Sequence, residues 1–152
     1  NNWLAVMAQS NSSNLGFNRI DKYPKAQFYC IDTKELKLCL NLNEPVRWEQ
    51  HLREIGKYIK HDHLMITRGP EGALHYQNDT LHSFPALARD MVDPIGAGDA
   101  FYSLSCLAAY LNEPPENILL LGSLAGALNT QWLCNERSIE PAMLIETAKK
   151  VI

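Results

Sequence analysis

Nine consecutive residues, Asp93-Pro94-Ile95-Gly96-Ala97-Gly98-Asp99-Ala100-Phe101, constrain this chain more than any other stretch. Met91-Val92 closes a short extended segment, and Pro94, which has no amide hydrogen, stops that segment from continuing as a paired strand. The backbone has to turn. Gly96 and Gly98 reach backbone angles closed to other residues and bring no side chain, so a ligand can approach the main chain closely, while Ala97 adds only a methyl group. From Ala100 onward, Phe101, Leu104, Leu107, Ala108 and Leu111 recur at helical spacing. A helix that opens on a glycine turn leaves several N–H groups unpaired and aims its positive dipole end forward, which suits phosphate. Asp99, in the first turn, reads either as a helix cap or as a carboxylate working beside that anion.

Two well-known phosphate motifs compete for this stretch. The P-loop ends in Gly-Lys-Ser/Thr, and no lysine follows these glycines, so it is excluded. The dinucleotide fingerprint shares the G-x-G start, but Phe101 stands where its third glycine belongs. About twenty residues further on, only the apolar run 118–121 occurs in place of an acidic strand end.

The rest of the chain supplies the setting. With 152 residues, 46% of them apolar, it suits a single globular domain with a real core. The net charge is -3 and the basic residues are scattered, which argues against nucleic acid or an anionic membrane as partner. No apolar run approaches membrane-spanning length and the start lacks a signal-peptide profile, so a cytoplasmic location is expected. Cys30, Cys39, Cys106 and Cys134 show no C-x-x-C spacing and read as reduced core thiols. His61 and His63 have a spacing that a metal could use, but a turn before a strand is the better explanation of them.

In chain order, the run 3–8 is suited to a buried strand, read as a central one, and a polar loop follows over 9–18. Phe28-Tyr29-Cys30-Ile31 is a second strand. Asp32 and Glu35 follow it at a strand-to-helix corner leading to a helix over 37–40, a plain helix cap being the alternative for Asp32. Pro45 is placed in the first turn of the next helix, whose packing stripe is Trp48, Leu52, Ile55 and Ile59. Leu64-Met65-Ile66-Thr67 is a third strand, and 73–76 with 80–84 flank Gln77-Asn78-Asp79 as a hairpin. After Pro114-Pro115 a buried helix is expected over 118–133, in which Gly122 and Gly126 permit close helix contact. A polar loop over 135–139 and a last amphipathic helix over 141–151 complete the chain. Strands alternating with helices place it in the α/β class, with a largely parallel sheet.

The 93–101 stretch resembles the D-x-x-G-A-G-D-x-F signature of the ribokinase-like, or phosphofructokinase B, family of carbohydrate and nucleoside kinases. The segment Thr67-Arg68-Gly69-Pro70-Glu71-Gly72-Ala73 is similar to that family's T-x-G-x-x-G-A loop on the nucleotide side. The resemblance implies a three-layer α/β/α ribokinase-like fold. Residues 1–152 would form the nucleotide-binding C-terminal part of the kinase domain, a partial domain, since the family's acceptor pocket and lid come mainly from a preceding segment. It further implies Asp99 as general base, with the amides of Gly96, Ala97 and Gly98 as anion hole. Thr67, Gly69, Gly72 and Asn135 would then serve the nucleotide.

The family's N-x-x-E motif, which handles magnesium and phosphate through water, aligns with Asp32 and Glu35, aspartate replacing asparagine. Asn41 and Glu44 form a rival match without a preceding strand. The implied cofactors are ATP and Mg2+, with a monovalent cation near Asp93. The implied activity is phosphorylation of a hydroxyl on a small sugar or sugar-phosphate acceptor. A noncatalytic nucleotide-binding module, or one half of a larger assembly, remains the second reading, because activity belongs to a complete site. Apolar surface exposed on such a partial domain would favour a homo-oligomer. The segment 9–18 and the D-x-x-E variant also resemble kinase-like segments allied to heptose-phosphate kinases and nucleotidyltransferases.

Overall fold

Continuous apolar runs, as opposed to alternating ones, mark strands buried on both faces, and two such runs form the middle of the sheet. In the computed structural model, which describes residues 2–10, 13–88, 91–133 and 136–151, these are β2 (Phe28–Asp32) and β3 (His63–Thr67). They pair in parallel, with Asp32 opposite Thr67 at their C-terminal ends. A short strand, β1 (Ala5–Met7), pairs in parallel with β2 on its other side. The sheet has five strands in the order β1-β2-β3-β4-β5, where β4 is Ala73–Gln77 and β5 is Thr80–Phe84. The stretch read as a central strand thus forms an edge strand of this sheet. The β3–β4 connection is too short for a parallel crossover, and β4 turns into β5 through Asn78 (φ 49°) and Asp79 (φ 58°), a tight hairpin turn. The sheet is therefore parallel over β1 to β3 and ends in an antiparallel hairpin.

By the packing of its Cα atoms the chain divides into two compact units, one containing the chain up to Arg68 together with Leu74–His82, the other Gly69–Ala73 and the chain from Ser83 onward. In the first, α1 (Thr33–Leu40) and α2 (Trp48–Ile55) pack on each other and, through Leu36, Leu52 and Ile55, on Tyr29, Ile31, Leu64 and Ile66 of the sheet. The opposite face carries a row of rings running across the strands, Trp3, Phe28, His63, His75 and His82, with neighbouring centroids 6.1, 6.3, 5.2 and 6.1 Å apart.

Helix α2 begins at Trp48, later than the Pro45 start expected from sequence, with Arg47 as N-cap and its N–H donating to His51 Nδ1 (3.0 Å). Ile59 lies beyond the helix but is still buried.

The second unit is built on α3 (Ala97–Tyr110), α4 (Pro115–Asn129) and α5 (Pro141–Val151). A β-carbon at Gly122 would lie 2.9 Å from the Phe101 ring, and one at Gly126 would lie 3.3 Å from the Ala97 carbonyl oxygen, so the two glycines do bring α4 close against α3. The helix predicted to run to residue 133 stops at Asn129, with Thr130 as its C-cap.

Among the described residues, Cys30, Cys39 and Cys106 are free thiols; Cys134 and Asn135 lie outside the described residues. No helix there is long and apolar enough to cross a membrane.

Candidate active site

In the second unit, the approach to α3 is tied down before the helix begins. The Val92 and Asp93 N–H groups both donate to the Thr130 carbonyl, at 2.7 and 3.1 Å. The Asp93 carboxylate, buried, folds back to accept from Ile95 N–H (2.9 Å). Asn129 Nδ2 donates to the Ile95 carbonyl (2.9 Å). Gly96 is then the N-cap of α3 with φ 81°, a left-handed conformation that glycine adopts at little cost.

Two expectations change here. The helix starts at Ala97 instead of Ala100, so Gly98 is in its first turn and does not use the left-handed conformation that Gly96 adopts. The Ala97 N–H donates to the Pro94 carbonyl (3.2 Å), so it braces the turn. The Gly96 and Gly98 amides have no backbone acceptor among the described residues, as expected for the orphan donors of a helix start.

Asp99 is exposed in that first turn, and its carbonyl accepts from Ser103 Oγ (2.8 Å). A cavity of about 300 Å³ opens beside it, lined by Gly96, Ser103, Asn129, Arg137 and Leu144 among others. Asp99 and Gly96 were assigned here from sequence. Ser103, one turn further along α3, was not, and neither were Asn129, Arg137 and Leu144, since nothing in a buried apolar helix, a polar loop or an amphipathic helix announces which residue will face a distant turn. The only available signal was the polar pair Asn129-Thr130 at the end of an apolar run.

The loop 69–72 belongs to the same unit. Gly69 (φ 55°) opens a 3-10 turn, Gly69–Glu71, closed by Gly72 N–H to the Gly69 carbonyl at 3.0 Å. Gly72 has φ 87°, and a β-carbon there would lie 2.0 Å from the Phe84 carbonyl oxygen.

In the first unit, Asp32 and Glu35 form a reciprocal capping box. Asp32 Oδ1 accepts from Glu35 N–H (2.7 Å) and Glu35 Oε2 accepts from Asp32 N–H (2.9 Å). Burial raises the Glu35 carboxyl above its ordinary value; the backbone hydrogen bond from Asp32 opposes this, the Asp32 charge adds to it, and hydrogen bonds from Ser10 oppose it again. Thr67, opposite Asp32 in register, is joined to the same corner by Thr33 Oγ1 donating to its carbonyl (3.5 Å). The next residue, Arg68, lays its guanidinium over the Trp48 ring, 5.6 Å from the centroid. Glu35, Asp32 and Thr67 are therefore brought together at the C-terminal ends of two adjacent parallel strands, where open α/β sheets place ligands. No cluster of three or more His, Cys, Asp or Glu able to hold a metal occurs among the described residues.

Compared with known proteins, residues 6–133 match the model of the pfkB family of carbohydrate kinases. The chain belongs to this family. Over 106 residues it is 37% identical to the 2-dehydro-3-deoxygalactonokinase of Haloferax volcanii, covering 70% of this chain and 33% of that protein. The chain thus spans about a third of the length of this curated relative. Solved structures with the same fold include Arabidopsis thaliana ribokinase complexed with ribose and ATP (TM-score 0.73, 17% identity, 82% of this chain and 41% of that one). Escherichia coli phosphofructokinase-2 in complex with substrates and products is another (TM-score 0.70, 21% identity, 84% and 41%). This pfkB-family chain therefore has the ribokinase-like α/β fold, over part of the length of its relatives.

Proposed function

We propose that the complete protein to which this pfkB-family chain belongs transfers the γ-phosphoryl group of ATP to a hydroxyl of a small sugar, sugar acid or sugar phosphate. The observation that carries this reading is the pairing of a carboxylate, Asp99, with the Gly96 and Gly98 amides, which have no backbone acceptor among the described residues, at the start of α3 beside a cavity. Phosphoryl transfer needs positioning and charge stabilisation more than covalent participation. Asp99 takes the proton from the acceptor hydroxyl as its oxygen bonds to the γ-phosphorus, while the bond to the bridging oxygen breaks and ADP leaves. The Gly96 and Gly98 amides stabilise the charge on the transferred group.

Thr67, Gly69 and Gly72 are assigned to the nucleotide, and Asn135 to the adenine side. Magnesium would be held through water near Glu35 and Asp32, each of which keeps a carboxylate oxygen outside the capping box; one or two carboxylates plus nucleotide phosphates is the usual magnesium set. When bound, it neutralises charge on the phosphates. A monovalent cation near Asp93 is part of the same reading. So are the nucleotide-binding role of the chain within a larger kinase domain and a cytoplasmic setting. The names of the relatives make 2-dehydro-3-deoxygalactonate, ribose and fructose 6-phosphate the first acceptors to try.

Asp99→Asn in the complete protein is expected to lower kcat by about a hundredfold or more with little change in nucleotide affinity. Steady-state kinetics beside nucleotide titration measure both. A normally folded Asp99→Asn protein with wild-type turnover would remove the role assigned to Asp99.

A further inference from the structure

A peptide group that can rotate decides whether the start of α3 presents a donor or an acceptor. The peptide between Ile95 and Gly96 is trans, so its carbonyl and its N–H point in opposite directions. Fixing one end of that plane fixes the other. The Ile95 carbonyl is held by Asn129 Nδ2 at 2.9 Å, and Asn129 is only 7% exposed, on the last turn of α4. The Gly96 N–H is thereby turned away from Asn129. Among the described residues no other hydrogen bond is made to this plane: Ile95 N–H, held by Asp93 Oδ1, belongs to the preceding peptide, the Ala97 N–H that closes the turn on the Pro94 carbonyl is compatible with either direction of the peptide between them, and Gly96, at φ 81°, has no side chain to resist rotation. Without the Asn129 amide the plane can turn over. The carbonyl oxygen would then face the anion, where it repels a phosphate, and the N–H would face the protein.

We propose that Asn129 is a positioning residue for the phosphoryl-transfer site, selecting by its side-chain amide the orientation of the Ile95–Gly96 peptide in which the Gly96 N–H is offered to the transferred phosphate. This rests on the kinase reading above. Asn129 also borders the cavity that Gly96 and Asp99 line, so the control is local. Thr130, the next residue, anchors the entry to the same loop through its carbonyl, and the end of α4 acts as a template for the turn.

The test uses the complete protein, ATP, and whichever of 2-dehydro-3-deoxygalactonate, ribose and fructose 6-phosphate is turned over fastest. Asn129→Ala is expected to lower kcat roughly tenfold to a hundredfold, with nucleotide affinity changed by less than about threefold and the same relative loss at every pH. Asn129→Asp keeps the size but makes the donor titratable. Protonated, its carboxyl donates to Ile95. Ionised, it repels that carbonyl and favours the turned-over peptide. Its activity relative to wild type is therefore expected to fall as pH rises, from above that of Asn129→Ala to below it, a signature that a merely structural residue lacks. Should Asn129→Ala fail to fold, Asn129→Asp alone supplies the decision.

A folded Asn129→Ala with wild-type kcat overturns the proposal, as does a loss shared equally by nucleotide binding. An Asn129→Asp whose relative activity is flat with pH also overturns it. If the wild type phosphorylates none of the three acceptors, or Asp99→Asn stays fully active, the kinase reading fails first, and those arms are scored separately from Asn129.

Discussion

At Gly72 a β-carbon would stand 2.0 Å from the Phe84 carbonyl oxygen and within 2.8 Å of Ala86 N, whereas at Gly69 it would meet nothing within 4 Å. Both glycines have positive φ, so any replacement strains the backbone by about 1–2 kcal/mol. Only Gly72 adds a collision with main chain that cannot rotate aside. Gly69→Ala is expected to cost about 1–2 kcal/mol and Gly72→Ala about 2–5 kcal/mol, or to prevent folding. Thermal denaturation of the two variants measures the difference; equal losses would show that the close passage of the chain after β5 does not constrain this loop. The same distinction applies at the start of α3. Gly96 needs its left-handed φ, while Gly98 has a helical backbone.

Across β3, β4 and β5 the row of histidines makes the sheet sensitive to acid. His63 Nδ1 and His75 Nε2 are 3.0 Å apart, and His75 Nδ1 is buried without a hydrogen-bond partner among the described residues. An unpaired lone pair is cheaper there than an unpaired N–H, which assigns the His75 proton to Nε2, donated to His63. A second proton has no acceptor. Burial, reinforced by His63, His82 and His61, pushes the His75 imidazole down to about 3. Burial also lowers His63, opposed by the Asp62 charge, and His61, where Asp62 again opposes and His63 adds to the fall.

Because the folded-state values lie below the unfolded value of about 6.5, the unfolded chain takes up protons first. Stability is complete above about pH 6.5 and falls as pH drops, for His75 all the way towards about 3. Below pH 6.5 the slope is about 1.4 kcal/mol per pH unit for each histidine kept neutral. Urea denaturation at pH 7.5 and pH 5 is expected to show this loss and to show less of it in His75→Gln. Identical pH slopes in the two proteins would count against the histidine row as the cause.

The chain corresponds to about two fifths of the ribokinase and phosphofructokinase-2 structures it resembles. On the proposed kinase reading its residues would offer a base and phosphate donors, but no segment among the described residues encloses an acceptor or keeps water from the transferring group, and both are needed to hold the hydroxyl in line. The 152-residue chain alone is therefore expected to turn over any acceptor at least about a hundredfold more slowly than the complete protein. Exposed Leu107, Tyr110 and Leu111 at the end of α3 favour its self-association. Phosphotransfer assays and sedimentation of the isolated chain check both points, and efficient turnover by a monomer of it would show that the acceptor site is already present.

What the sequence by itself determined is local. The buried runs at β2 and β3, the hairpin around Asn78-Asp79, and the glycine turn opening α3 follow from short-range rules, because a strand buried on both faces, a two-residue turn and a glycine N-cap each leave their mark within a few residues. Family membership was legible for the same reason, since its signature is nine contiguous residues.

Tertiary structure decided what depends on partners far apart in the chain. Thr130, the C-cap of α4, spends its carbonyl on Val92 and Asp93. The Asp32–Glu35 capping box is local, but its place beside Thr67 exists only because β2 and β3 pair. Asn129 reaches the Ile95 carbonyl across 34 positions of sequence. Hydrogen bonds of that kind depend on how helices and turns are placed in space, which no local spacing encodes, so the residues that hold the turn in shape became visible only in the fold.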